Sequence, residues 1–222
     1  MATDAAVLPP ARRVEVAPER LSRWLAGFAD RHGPASWQLG PDLVVVTAAD
    51  SAVAECAVPF PPLAADAGQP YGGLIDHALT ARRVGVVLVR LGGYAAGVFE
   101  GRRLVVSKVG SRLVHGRSAA GGQSQQRFAR RREKQAREAL EAAADVVARV
   151  VLPHASLLDA VVLGGDKSAV ATVLADRRLA LLRDLVSGPH LTVPDPKLAV
   201  LRSTPDRFRA VRIELSEPDQ SY

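Results

Sequence analysis

Apolar residues recur every three or four positions over 18–32, placing Leu21, Trp24, Leu25 and Phe28 on one side of a predicted helix. Pro18 suits its opening turn and Gly33-Pro34 ends it. Two β-rich runs follow, 43–47 and 52–59, separated by the turn-forming Ala49-Asp50-Ser51. The stretch 59–73 is rich in proline and glycine and reads as a connector or surface loop. From Val84 to Leu91 the chain is almost unbroken in apolar residues, the pattern of a buried strand. Gly92-Gly93 turns it into 94–99, and Glu100-Gly101 turns that into 103–109, which predicts an antiparallel meander. After a glycine- and serine-rich stretch to Gly122, the period changes to that of a helix over about 124–151. Its stripe is Phe128, Ala136, Ala139, Leu140, Ala143, Val147 and Val150, and its length is about 40 Å. Pro153 closes it. A strand over 158–163, a helix over 167–183, a short strand over 191–193 and a last strand over 208–215 complete the pattern. The order β-β-β-α-β-α-β predicts an α+β fold, a mixed sheet flanked by helices, preceded by a small α+β unit. The expected division is 1–81, 82–216 and a polar tail over 217–222.

Composition narrows the function classes. With 48% hydrophobic and 23% charged residues the chain is globular rather than disordered. Its formal charge of +6 favours a polyanionic partner. The single cysteine, Cys56, excludes an intrachain disulfide, and five scattered histidines offer no metal-ligand spacing, so neither a metal nor a cofactor is expected. No run of about 18 apolar residues predicts a membrane span, and residues 1–10 lack a signal-length apolar core. The expectation is a cytoplasmic monomer with no membrane partner.

The chemistry-bearing candidate is Gly121-Gly122-Gln123, at the mouth of the long helix. Paired glycines let a backbone approach another molecule without a Cβ. Gln123 offers two side-chain donors, one acceptor and a backbone N–H. A neutral amide is too weak a base to take a proton from water. It can position a nucleophile, and its backbone N–H can stabilise developing negative charge. The same string also reads as an ordinary loop closing onto a helix start, with Ser124 as N-cap. Arg127, Arg130, Arg131, Arg132, Lys134 and Arg137 then crowd the first turns with only Glu133 among them. Cations there oppose the helix dipole by about 0.3–1 kcal/mol each, and like charges at i,i+3 and i,i+4 repel. A solvated face interleaves acids, as the later part of the helix does with Glu138, Glu141 and Asp145. Self-opposing charge is tolerable where a phosphate backbone offsets it, so nucleic-acid contact is the stronger reading.

His115-Gly116-Arg117, Gly121-Gly122-Gln123-Ser124 and Arg127-Phe128-Ala129-Arg130 together resemble the signature of the middle domain of archaeal and eukaryotic peptide-chain release factors. The small size is similar to the Vms-type release factors, the VLRF group. The resemblance covers about 82–215, while the first 80 residues carry no such motif. It implies a release-factor-like fold and hydrolysis of the peptidyl-tRNA ester on stalled large ribosomal subunits, without metal or cofactor. Gly121, Gly122 and Gln123 would form the catalytic apex. Arg117, Arg127, Arg130, Arg131, Arg132 and Lys134 would contact RNA. The partners implied are the large subunit's rRNA and peptidyl-tRNA. Two departures stand out. Ser118-Ala119-Ala120 lengthens the loop before the glycines, and Gly122-Gln123-Ser124-Gln125 spells Gly-x-x-Gln, which keeps Gln125 a rival to Gln123. Register with Arg127-Phe128 favours Gln123.

Other strings carry less. Gly164-Gly165-Asp166-Lys167-Ser168 lacks phosphate-loop spacing and reads as a strand-to-helix turn capped by Asp166. A non-catalytic ribosome-binding or splitting factor, similar to Pelota-type relatives, is the alternative function; the Gly-Gly-Gln apex counts against it. A tRNA nuclease would need convergent carboxylates, and none is visible.

Overall fold

A computed structural model describes residues 12–90, 93–111 and 123–218, and over 123–129 the backbone only. In chain order the elements are β1 (Arg12–Val16), α1 (Pro18–His32), β2 (Ala35–Leu39), β3 (Leu43–Ala48), β4 (Val53–Ala57), α2 (Leu74–Leu79), β5 (Arg83–Arg90), β6 (Gly93–Glu100) and β7 (Arg103–Ser111). They continue with α3 (Gln123–Val150), β8 (Ala160–Gly165), α4 (Lys167–Leu174), α5 (Ala180–Arg183), α6 (Leu198–Ser203), α7 (Pro205–Phe208) and β9 (Val211–Ser216). The chain has the α+β character that the hydrophobic pattern predicts, with two separate sheets. It divides into two compact units, Met1–Thr80 with Arg209–Tyr222, and Ala81–Phe208.

The first unit is a five-stranded antiparallel sheet, ordered β1-β9-β4-β3-β2, with helices on one face. Leu21, Leu25, Phe28 and His32 recur at helical spacing on α1 and are all buried. They meet Val44, Val46, Ala54, Cys56, Val211, Ile213 and Leu215, which alternate along three strands. Each such leucine or phenylalanine contributes about 1.5–3 kcal/mol by leaving water. Burial also pushes the Cys56 thiol up to about 12. At the end of α1 the buried His32 places Nδ1 2.8 Å from Asp50 Oδ2 and Nε2 3.3 Å from Glu217 Oε1, joining the β3–β4 turn to the residue after β9. The Ala52 backbone N–H, and then the His32 ring, hold the Asp50 carboxyl below its ordinary range.

The sequence pattern assigned the last strand to the second unit, within 82–216. The structure corrects this: β9 lies between β1 and β4, pairing Ile213 with Val14 and with Cys56. Its alternating Val211, Ile213 and Leu215 fill the core of the first unit. Alternation marks a strand, whereas its partners lie far away in sequence.

The second unit is a four-stranded sheet ordered β7-β6-β5-β8, an antiparallel meander extended by a parallel strand. α3 and α4 cover one face through a core that includes Val87, Val89, Ala96, Val98, Ala143 and Val147. On the other face Phe208 meets Phe99 edge-on, with ring centroids 5.9 Å apart, and Leu201 of α6 is fully buried. Covered on both sides, β5 is buried from Val84 to Val89, which accounts for its unbroken apolar run. The helix expected over 167–183 is broken after Leu174. Asp176 accepts from the Arg178 backbone N–H at 2.9 Å and caps a separate turn, Arg177–Leu179. The strand expected over 191–193 is reduced to a single bridge between Leu191 and Gly164. Among the described residues no helix is long and apolar enough to cross a membrane.

Candidate functional site

The candidate site is built on α3, which begins at Gln123, one residue before the start that its periodicity predicts. Its second half is the anchor. Ala143, Ala144, Val146, Val147 and Val150 are buried against the sheet, and Leu140 is half-buried beside them. Arg178 reinforces this end, its guanidinium lying 2.8 Å from Asp145 of α3 and 2.6 Å from Asp176. The Arg178 side chain, and then its backbone N–H, hold the Asp176 carboxyl down at about 2.

The first half is different. Arg130, Arg131, Arg132, Glu133 and Lys134 are all exposed. Five consecutive positions sweep more than a full turn at about 100° per residue, so no side of the helix packs there among the described residues. Lys134 Nζ reaches Glu138 only at 3.9 Å. Acids are absent from the first turn, so the helix dipole and the side chains add positive charge at the same end. Near the middle of α3, Ala136, Ala139 and Leu140 face Val89, Arg90, Tyr94 and Ala169 across a cavity of about 130 Å³.

Of the predicted site residues, Arg117, Gly121 and Gly122 lie outside the described residues. Gln123, Gln125 and Arg127 lie in the first turns of α3. Helical register sorts the rest. Positions 123, 127, 130, 134 and 137 are spaced 4, 7, 11 and 14 from the first, and fall within about 40° of one line. Gln123 therefore heads a stripe of Arg127, Arg130, Lys134 and Arg137. Position 125 falls about 200° away, in line with Arg132 and with the buried side that carries Ala139 and Ala143. Arg137 completes the stripe, and the 3.6-residue period applied from Gln123 would have singled it out. Tyr94 and Gly110, treated below, carried no sequence signal, because their pairing is set by sheet register.

Asp166 caps α4, accepting from the Ser168 and Ala169 backbone N–H groups at 2.9 and 3.3 Å. The Ser168 hydroxyl, and then the Ala169 N–H, hold its carboxyl below the ordinary range. Those N–H groups are thus committed internally, consistent with a strand-to-helix turn rather than a phosphate loop. Among the described residues no three His, Cys, Asp or Glu side chains gather in a way that could hold a metal ion.

Residues 82–214 match the family described as Actinobacteria/chloroflexi VLRF1 release factor, and the chain belongs to that family. No curated protein matches it. Among solved structures, it is similar to an archaeal translation termination factor, aRF1, at 15% identity and a TM-score of 0.43, over 87% of this chain and 64% of that one. It is also similar to a Vms1 mitochondrial localization core, at 10% identity and 0.43, over 91% and 82%. An archaeal protein is similar at 15% identity and 0.42, over 71% and 48%. The chain thus spans about half the length of that archaeal protein and under two thirds of the termination factor.

Proposed function

We propose that this chain acts on the ribosome as a peptidyl-tRNA hydrolase, freeing nascent peptide on stalled large subunits through Gly121-Gly122-Gln123. Membership of a release-factor family over 82–214 supports the release role. The observation that carries the chemistry is that Gln123 opens α3 at the head of a stripe of arginines and lysine. The first four N–H groups of an α-helix have no intrahelical partner, and the dipole makes that end positive. A donor of this kind suits the developing oxyanion, or the departing 3′-oxygen of tRNA, when water attacks the ester carbonyl. The glutamine amide restricts which nucleophile enters, and the paired glycines leave room for the water. No protein base is required, because the RNA surroundings supply the remaining polar groups. The cationic stem holds rRNA phosphates while the apex reaches the ester.

Register supports Gln123 over Gln125, since position 125 lies half a turn from the basic stripe. The deciding experiment measures peptide release from peptidyl-tRNA on purified large subunits. Gln123→Ala should abolish release and leave subunit binding nearly unchanged, while Gln125→Ala should retain it. Full release by Gln123→Ala would remove that residue from the mechanism. Binding without release by the wild-type chain would favour the non-catalytic, Pelota-type alternative.

A further inference from the structure

We propose that Tyr94 is a positioning residue whose ring, lying against Gly110 and facing the α3 stem, sets the direction in which the cationic half of α3 leaves its unit. Tyr94, near the start of β6, pairs with Gly110, near the end of β7. A Cβ at Gly110 would stand 2.4 Å from Tyr94 Cζ and 2.5 Å from its hydroxyl oxygen. The ring therefore occupies the place that any other residue at 110 would claim. The same ring packs against the core that anchors α3, and lines the cavity of about 130 Å³ opposite Ala136, Ala139 and Leu140.

Among the described residues, packing of the body against α3 thins out at this level. Ala136 and Ala139 line the cavity beside it, and among the described residues from Lys134 to Arg130 every side of the helix is exposed. Tyr94 is the largest apolar side chain lining that cavity. Beyond Ala136 the helix continues for about 13 residues, or roughly 20 Å. On a lever of that length, a tilt of about 10° moves the first turn by about 3.5 Å. A misplacement of only about 1 Å can cost about a hundredfold in rate. The cations, spread along and around the stem, would still find phosphates after such a tilt. Loss of the ring should therefore slow chemistry and spare binding.

The kinetic part of this proposal rests on the release reading above; the geometric part does not. Nitroxides at Arg131→Cys on α3 and Ala171→Cys on α4, both exposed, report the stem's direction by pulsed electron–electron distance measurement. Cys56 is fully buried with its thiol pushed up to about 12, and escapes labelling. Wild type and Tyr94→Phe should give the same narrow distance distribution. Tyr94→Ala should shift or broaden it by about 1–2 Å, because Arg131 stands only about 7.5 Å along the helix from Ala136. Tyr94→Leu keeps apolar bulk without the ring, and reads the same distance should the alanine variant fail to fold. In unlabelled chains, Tyr94→Ala should lower the single-turnover release rate about tenfold to a hundredfold, with half-saturating subunit concentration within about twofold and full rescue by Tyr94→Phe. Distances that stay unchanged in folded Tyr94→Ala or Tyr94→Leu overturn the proposal. Altered distances with wild-type release overturn its kinetic role. Altered distances with no release by any variant, wild type included, overturn the release reading and leave the positioning intact.

Discussion

Replacing Arg130, Arg131 and Arg132 with alanine tests how the stem meets its polyanion as well as whether it does. Every phosphate neutralised releases counterions, so binding falls with salt at a slope of about 0.7–0.9 per contact. The three positions point about 100° apart around the helix, and all three are exposed. A helix lying sideways against RNA can offer at most two of them to phosphates at once. Their loss would then flatten the slope by about 1.4–1.8. A helix thrust into an RNA cavity is surrounded and uses all three, which flattens the slope by about 2.1–2.7. Between 50 and 200 mM salt, a fourfold change, the second case means that the variant loses about 20- to 40-fold less affinity than wild type. Equilibrium binding of fluorescent protein to purified large subunits across that salt range measures the slope directly. The release reading requires the larger value, because the apex must reach a buried ester. A flattening below about 1.8 would refute insertion, and an unchanged slope would refute RNA contact by this stem altogether. Single variants sharpen the result: sideways contact along the Gln123 stripe spares Arg132, whereas insertion weights all three alike.

Two further predictions concern the fold that carries the stem. Gly165 has φ +96°, and a Cβ there would stand 2.1 Å from the Val89 carbonyl oxygen, so Gly165→Ala should destabilise the second unit by at least about 1–3 kcal/mol in urea unfolding. Asp176 has its pKa depressed from 3.8 to about 2, chiefly by the Arg178 side chain. Its stabilising contribution is thus complete above about pH 4 and is lost as pH falls toward 2. Asp176→Asn should lower the unfolding midpoint at neutral pH and leave it less sensitive to acid over that window. A variant as acid-sensitive as wild type would exclude Asp176 as a source of that dependence.

Much of this molecule was legible because local pattern and local structure coincide. The unbroken Val84–Leu91 run required a strand covered on both faces, and β5 is one. The three- and four-residue recurrence of Ala139, Leu140, Ala143, Val147 and Val150 required one long helix, whose bounds differ from the expectation by about one residue. The crowding of cations after Gly122 is charge that opposes its own helix, and Arg130, Arg131, Arg132 and Lys134 are exposed. Departures arose where a short-range signal competed with another contact. The apolar period runs on through 167–183, yet the Asp176 carboxylate takes the Arg178 N–H and stops the helix there.

What the linear chain determined is periodicity: which residues are helical, which alternate, and where charge gathers. Only the tertiary structure decided partnership. Val211, Ile213 and Leu215 alternate in any arrangement, but hydrogen bonding across about 200 positions seats them between β1 and β4, because a strand's pattern names its faces and never its neighbours. The same holds for Tyr94 against Gly110, and for the placing of Ala136 and Ala139 across the cavity from that ring. Those follow from sheet register and packing, which no local run of residues encodes.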